Sequence, residues 1–410
     1  MRARKITDGV YWVGVIDPDR KLFEEITPLP DGTSYNSYLI RGTEKTALID
    51  TVEPEFCEVL LDRLENLKVD RIDYVISNHA EQDHSGSLPM VLERYPEARI
   101  LATPKAKKML LGLLPLPEDD LDVVEDGETI DLGGRTLEFI HAPWVHWPET
   151  MFTYLREDRI LFSCDLFGSH MATNDLFVRD ESRVLDTARR YYAEVMMPYS
   201  GPVRRNMEKI KDLPIASIAP SHGPVYDRPS LILEAYRDWV DEVPKNLVVL
   251  PYVSMHGSTK KMVVYLTESL IEKGVRVQSF NLADTDVGRL SMALVDAATV
   301  VFGSPNILNG MHPKVVYAAY LANALRVKAR YATIIGSFGW AAKMDEQLKE
   351  LIGNLKIEML PPVLTKGLPE KETYKALDEL AGSIARHHAG VTRDWQETQH
   401  GKVTAEDKLD

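Results

Sequence analysis

Ile72-Asp-Tyr-Val-Ile-Ser-Asn78 runs straight into His79-Ala-Glu-Gln-Asp-His84. The first piece has the apolar character of a short strand, and the second puts four metal-binding side chains, His79, Glu81, Asp83 and His84, into six residues. Three further potential ligands, His146, Asp165 and His222, also follow strand-like runs. Seven nitrogen and oxygen donors could therefore converge at one edge of a sheet, enough for two metals.

The donor mix narrows the choice of metal. Four imidazoles and three carboxylates, with no thiolate, form a hard-to-borderline set suited to divalent iron, manganese or zinc. Asp165 closes the strand-like run Arg159 to Cys164, and its two oxygens make it the natural bridge. Three negative charges would offset much of two divalent cations. By composition alone, His141 is as eligible as His146.

At 410 residues and 44% hydrophobic, the chain can bury sizeable cores, and its length suggests two or three domains. A net charge of −14 argues against nonspecific nucleic-acid binding. No apolar run of membrane-spanning length occurs, and Met1-Arg-Ala-Arg-Lys-Ile6 leads into polar sequence, so a soluble, cytoplasmic protein is expected. Cys57 and Cys164 are too few for a disulfide framework, and no C-x-x-C pair offers a built-in rubredoxin-type centre. Electrons, if required, must come from outside.

Up to about residue 240, β-rich runs (Val10–Val15, Tyr35–Ile40, Thr46–Asp50, Ala98–Ala102, Thr136–Ile140, Thr150–Leu155, Pro214–Ala219) alternate with helical patterns such as Glu53–Leu67. That order suggests a layered α/β unit with two mixed sheets. After Pro244 the pattern changes to continuous apolar strands alternating with helices (Leu247–Val253, Val275–Phe280, Ala298–Phe302, Ala332–Ile335), as a doubly wound parallel sheet requires. The expected division is 1–244, 245–386 and a polar C-terminal tail, 387–410, that is mobile or straps a dimer edge.

Within the second unit, Ser254, Met255, His256, Gly257, Ser258 and Thr259 lie between a buried strand and a helix, where backbone N–H groups and hydroxyls can surround a phosphate. The segment lacks the dinucleotide G-x-G-x-x-G pattern and suits a monophosphate such as that of FMN. Two more loops follow later strands: Ser304, Pro305, Asn306, Ile307, Leu308 and Asn309 within Gly303–Gly310, and Ser337, Phe338, Gly339 and Trp340 after Gly336. Ligands of such sheets bind at strand C-termini.

With these motifs in place, the chain resembles the flavodiiron proteins over roughly residues 5 to 385. In the metallo-β-lactamase fold at large the motif is H-x-H-x-D-H, and Glu81 here stands in the second histidine position, as in the diiron branch. The resemblance implies a metallo-β-lactamase-like αββα sandwich followed by a flavodoxin-like domain. It selects His146 over His141, and implies one iron on His79, Glu81 and His146, another on Asp83, His84 and His222, and Asp165 shared. It also places His170 and a tyrosine, Tyr192 in preference to Tyr191, near the iron pocket. One departure stands out: many relatives carry histidine after the residue matching Phe23, where this chain has Glu24.

The function so implied is reduction of O2 to water, of NO to N2O, or both, at two irons fed by FMN. The electron donor would be rubredoxin or a similar small carrier, or a deazaflavin, with Lys260, Lys261 and Lys343 flanking the flavin loops. A head-to-tail homodimer or a tetramer is implied as well. The rival readings are a dizinc hydrolase with a fused flavodoxin domain and a diiron carrier or gas sensor that does not turn over.

Overall fold

The structure, a computed structural model, describes residues 2–307, 309–340 and 343–406. The chain divides into two compact units, Met1–Val240 and Asp241–Asp410.

The first unit is built on two sheets. One has seven strands, ordered Arg4–Thr7, Val10–Trp12, Tyr38–Arg41, Thr46–Ile49, Tyr74–Ile76, Arg99–Ala102 and Leu121–Val123. The other has five: Thr129–Asp131, Thr136–His141, Met151–Leu155, Ile160–Cys164 and Ser217–Pro220. Alternation along each strand sends one set of side chains inward, so Trp12, Tyr38, Ile40 and Ile49 of the first sheet meet Leu137, Phe139, Met151 and Phe162 of the second in one buried cluster. The outer face of the first sheet, through Leu39, Leu48 and Val75, packs on Leu60 and Leu64 of helix Cys57–Asn66 and on Leu88, Val91, Ala106 and Leu110 of later helices. This is the αββα layering expected from the sequence. The run Val10–Val15 is interrupted, because Gly14 sits where an added Cβ would lie 2.3 Å from the Tyr35 carbonyl oxygen.

In the second unit the main strands are ordered Arg276–Asn281, Lys245–Tyr252, Ala297–Ile307, Tyr331–Phe338, with Glu358–Met359 and Val363–Lys366 at the far edge, all parallel. Val248, Leu250, Val301 and Ile335 are buried against Met262, Leu266 and Leu270 of helix Ser258–Glu272 and against Leu377, Ala381 and Ile384. The doubly wound sheet read from the sequence is present.

Two expectations need correction. The loops placed after the third and fourth strands are partly strand: Ala297–Ile307 and Tyr331–Phe338 pair onward through Ser304↔Gly336 and Pro305↔Ser337. Asn306 and Ile307 then turn back onto Gly310 and Met311 through Asn309 at φ 63. Leu308, assigned to the flavin loop, lies outside the described residues. Of the tail expected from His387, the part to Glu406 belongs to helix Lys371–Glu406, and 407–410 lie outside the described residues. That helix is anchored by Leu377, Leu380 and Ile384, and His388 is buried with Nε2 2.7 Å from Thr299 Oγ1 and Nδ1 2.9 Å from Asn246 Oδ1. Lys, Glu, Gln and Ala sustain a helix without apolar periodicity once such an anchor nucleates it. Among the described residues no helix is long and apolar enough to cross a membrane.

Candidate metal centre

The segment after Tyr74–Ile76 is fixed by Asp50, whose carboxylate accepts from Asn78 N at 2.8 Å and Asn78 Nδ2 at 3.1 Å. His79 and Glu81 then precede a single helical turn, Gln82–Ser85, that carries Asp83 and His84. The sequence reads this whole segment as a loop; the turn is too short to show a period. Asp165 follows Ile160–Cys164, His222 follows Ser217–Pro220, and His146 lies between Thr136–His141 and Met151–Leu155. All seven donors come together, in two groups: His79, Glu81, His146 and Asp165, and Asp83, His84 and His222. His141 stays outside, with Nε2 3.0 Å from the Val124 carbonyl oxygen.

Asp165 faces both groups. Its Oδ2 lies 3.5 Å from His79 Nε2 and 3.5 Å from His146 Nε2, while its Oδ1 lies 3.1 Å from His84 Nε2 and 3.4 Å from His222 Nε2. Glu81 Oε2 stands 3.1 Å from His79 Nε2 and 3.2 Å from His146 Nε2. On the other side, Asp83 Oδ1 is 3.3 Å from His84 Nε2 and Asp83 Oδ2 is 3.3 Å from His222 Nε2.

Burial by itself would lower the imidazoles and raise the carboxylates. The carboxylates outweigh it, so His146 is pushed up to about 9 by Asp165 and Glu81, and His222 up to about 10 by Asp165 and Asp83. Asp165 is held well below the usual carboxylate range, burial being outweighed by His84, His146 and His222. Both oxygens of Asp83 and Oδ1 of Asp165 are buried and face imidazole nitrogens without a well-aligned hydrogen bond. A cavity that draws protons onto its histidines and packs buried carboxylates among them without well-aligned hydrogen bonds fits cations, and the donor set fits two of them.

Around the cluster are groups that aim the imidazoles. His79 Nδ1 lies 2.7 Å from Glu149 Oε1, which also accepts from Ala80 N at 3.1 Å. His222 Nδ1 lies 2.7 Å from the Ser34 carbonyl oxygen. Each contact fixes which nitrogen turns inward. Glu149 is absent from the residues singled out in the sequence; its only signal there is a carboxylate three residues after His146, which composition cannot separate from a surface residue.

His170 is where the sequence expects it, its ring 4.9 Å from that of His222 and Nδ1 2.9 Å from Thr33 Oγ1. Burial, then His222, holds it well below the usual histidine range, so it is neutral, and its Nε2 is buried without a partner. The tyrosine assignment is corrected. Tyr191 is the pocket residue, its ring 4.8 Å from His170, whereas Tyr192 packs on Tyr236 and Trp239 and donates its hydroxyl to the Trp239 carbonyl oxygen at 3.1 Å. Helix Glu181–Tyr191 gives way there to a π-helical turn, Tyr192–Met196, and neighbouring positions face different ways.

In the second unit, the segments expected to meet a flavin converge at strand C-termini. Gly257 at φ 91 opens helix Ser258–Glu272, Ser254 Oγ accepts from Lys260 N at 3.1 Å, and Thr259 Oγ1 lies 3.4 Å from Ser337 Oγ. Val253 N donates to the Gly303 carbonyl oxygen at 3.0 Å, and Asn306 Oδ1 is buried without a donor. Met255 and Trp340 are exposed, apolar surface beside the three segments. His256 stands exposed on the bend before Gly257, while the segment's hydrogen bonds are made by Ser254 and the buried Thr259. Hydroxyls and a helix N-terminus suit a phosphate, and the exposed Met255 and Trp340 side chains offer apolar surface to a flat ring.

Comparison with known proteins agrees with this geometry. Residues 33–223 match the ODP family beta lactamase. The chain is 36% identical to a nitric oxide reductase of Moorella thermoacetica over 93% of this chain and 97% of the relative. It is 37% identical to a coenzyme F420H2 oxidase of Methanothermobacter marburgensis over 85% and 90%. The solved rubredoxin oxygen:oxidoreductase of Desulfovibrio gigas superposes with a TM-score of 0.91 at 30% identity, covering 95% of this chain and 99% of that one. Alike along nearly its whole length to redox enzymes of one architecture, the chain belongs to the flavodiiron proteins.

Proposed function

We propose that this chain binds two irons and FMN and reduces O2 to water, NO to N2O, or both, with electrons from an external carrier. The observation that carries this reading is Asp165, which turns one oxygen to each of two donor groups. His79, Glu81 and His146 would hold one iron, Asp83, His84 and His222 the other. When bound, the irons would orient and polarise the diatomic gas, and FMN would divide incoming electron pairs into single electrons.

The chain's own residues do the rest. Glu149 and the Ser34 carbonyl keep Nε2 of His79 and His222 turned to the metals. Neutral His170 and Tyr191 border the pocket and can donate hydrogen bonds to reduced oxygen. Ser254 to Thr259 would hold the flavin phosphate, and Ser304 to Asn309 with Ser337 to Trp340 would flank the ring.

A rubredoxin-like or deazaflavin donor fits the names of the relatives. Lys260 and Lys261 line a surface cavity of about 460 Å³ beside Gly257, with Val264, Tyr265, Glu268 and Tyr374, and the two lysines against one glutamate suit an acidic carrier. A head-to-tail homodimer would bring one subunit's flavin to its partner's metals. The relatives described above are reductases and oxidases, which disfavours the dizinc hydrolase.

Metal and flavin analysis of purified protein, followed by anaerobic reduction and addition of each gas at an electrode, tests the reading. Two irons and one FMN per chain with gas uptake are expected. Zinc in place of iron, or no uptake of either gas by a fully loaded protein, would overturn it.

A further inference from the structure

A two-stranded hairpin, Leu22–Phe23 with Thr27–Pro28, borders the metal pocket: the Phe23 ring lies 5.0 Å from that of His170. Its turn is closed by Ile26 N donating to the Phe23 carbonyl oxygen at 3.1 Å, and it places Glu24 and Glu25 at φ 47 and 56. Two consecutive left-handed residues make the mirror-image turn that normally takes Asn-Gly or Gly-Gly. Two glutamates there are locally unfavourable, and unfavourable backbone held in place beside a reaction pocket points to a role.

The two glutamates are not equivalent. Glu24 is exposed at the turn, yet its carboxyl is raised above the usual range, by partial burial first and then by Glu81 and Asp83, with His146 opposing. It makes no hydrogen bond or ion pair with any described residue, so its carboxyl is free to rotate. His79, Asp165 and His170 are closed off from solvent. Glu24 thus stands at the solvent edge of the pocket, one residue beyond the Phe23 ring that packs on buried His170.

Resting on the function proposed above, we infer that Glu24 is the residue that carries protons from solvent into the pocket. Each O2 converted to two waters consumes four electrons and four protons, and each pair of NO converted to N2O and water consumes two of each. The electrons come from the external donor. For each proton, an O–H bond of hydronium or a buffer acid breaks and one forms on the Glu24 carboxylate; that bond then breaks as the proton joins an oxygen of the reduced gas. The charged groups that act on Glu24 are Glu81, His146 and Asp83, all committed to the metals; the other partly buried carboxyl beside Asp83 and His84, Glu53, has the Arg20 guanidinium near it.

The test compares iron- and FMN-loaded wild type with Glu24→Gln, Glu24→Asp and Glu24→Ala. Gln and Ala are expected to lower turnover about tenfold or more, within the range of a lost proton-transfer group, with iron, FMN and donor-to-flavin rate unchanged. Asp should retain most activity, and small carboxylic acids should restore the Ala variant without affecting wild type. Infrared titration of the metal-free protein supplies a readout independent of turnover: a protonated-carboxyl band present in wild type should vanish in Glu24→Gln.

A Gln variant as fast as wild type, an Ala variant that no acid rescues, or an unchanged infrared band overturns the inference. So does loss of iron in step with activity. A loaded wild type that consumes neither gas fails the functional reading itself and takes this inference with it; an active wild type with an equally active Gln variant fails this inference alone.

Discussion

His79 Nδ1 lies 2.7 Å from Oε1 of Glu149, and both side chains are fully buried. The contact joins two segments, the one after Tyr74–Ile76 and the one before Met151–Leu155, and leaves Nε2 of His79 free to face Glu81 and Asp165. A buried carboxylate on the outer nitrogen also makes the inner one a stronger donor.

Glu149→Gln is therefore expected to weaken iron binding by about 10- to 100-fold, the usual effect of losing such a partner. Gln keeps the shape and one acceptor but removes the charge. Iron content after dialysis against a graded chelator series measures it. Retention equal to wild type would show that Glu149 holds only the backbone at Ala80.

The two neighbouring tyrosines should separate cleanly. Tyr191→Phe removes a hydroxyl beside His170 and is expected to alter turnover with little change in stability. Tyr192→Phe removes the bond to the Trp239 carbonyl and should cost about 1 kcal/mol of stability while leaving metal content and turnover alone. Chemical denaturation and gas-uptake rates on the same preparations distinguish them. The reverse pattern would reinstate Tyr192 as the pocket residue.

That exchange shows where sequence stops being legible. Both sheets, the doubly wound unit and six of the seven clustered donors can be read from strand-like runs followed by His, Asp or Glu, because strand C-termini are where such folds collect polar groups; His146 is chosen over His141, which ends its own strand, only by the family resemblance. The choice between Tyr191 and Tyr192 is invisible, since a π-helical turn resets the face each residue presents. Glu149 is hidden for another reason: its partner is 70 residues away in the chain. The helix beyond His387 is missed because anchoring contacts such as His388 to Thr299, not periodicity, extend it.

Gly223 sits at φ 82 directly after His222, and an added Cβ would lie 2.1 Å from Ser169 Oγ. Its N–H also donates to Ser34 Oγ at 2.8 Å, next to the carbonyl that orients His222. Gly223→Ala is expected to displace His222 and deplete one iron of the pair while the other group keeps its metal. Iron stoichiometry near half of wild type is the predicted result. Full occupancy would mean that the backbone relaxes without moving the imidazole.

His388 gives a pH prediction remote from the metals. Burial, then His387, holds it down to about 4 against an ordinary 6.5, so it is neutral in the folded chain. The unfolded chain takes up this proton between those values and the folded one does not, so stability rises with pH there. The contribution is complete above about 6.5 and is lost as pH falls toward 4. Hydrogen exchange of the amides of Lys371–Arg386 should therefore speed up on going from pH 7 to pH 5, after correction for intrinsic rates. In His388→Gln the baseline protection is lower, because the pairing with Thr299 and Asn246 is altered, but the added acid sensitivity should disappear. Equal acid sensitivity in both proteins would place the titrating group elsewhere.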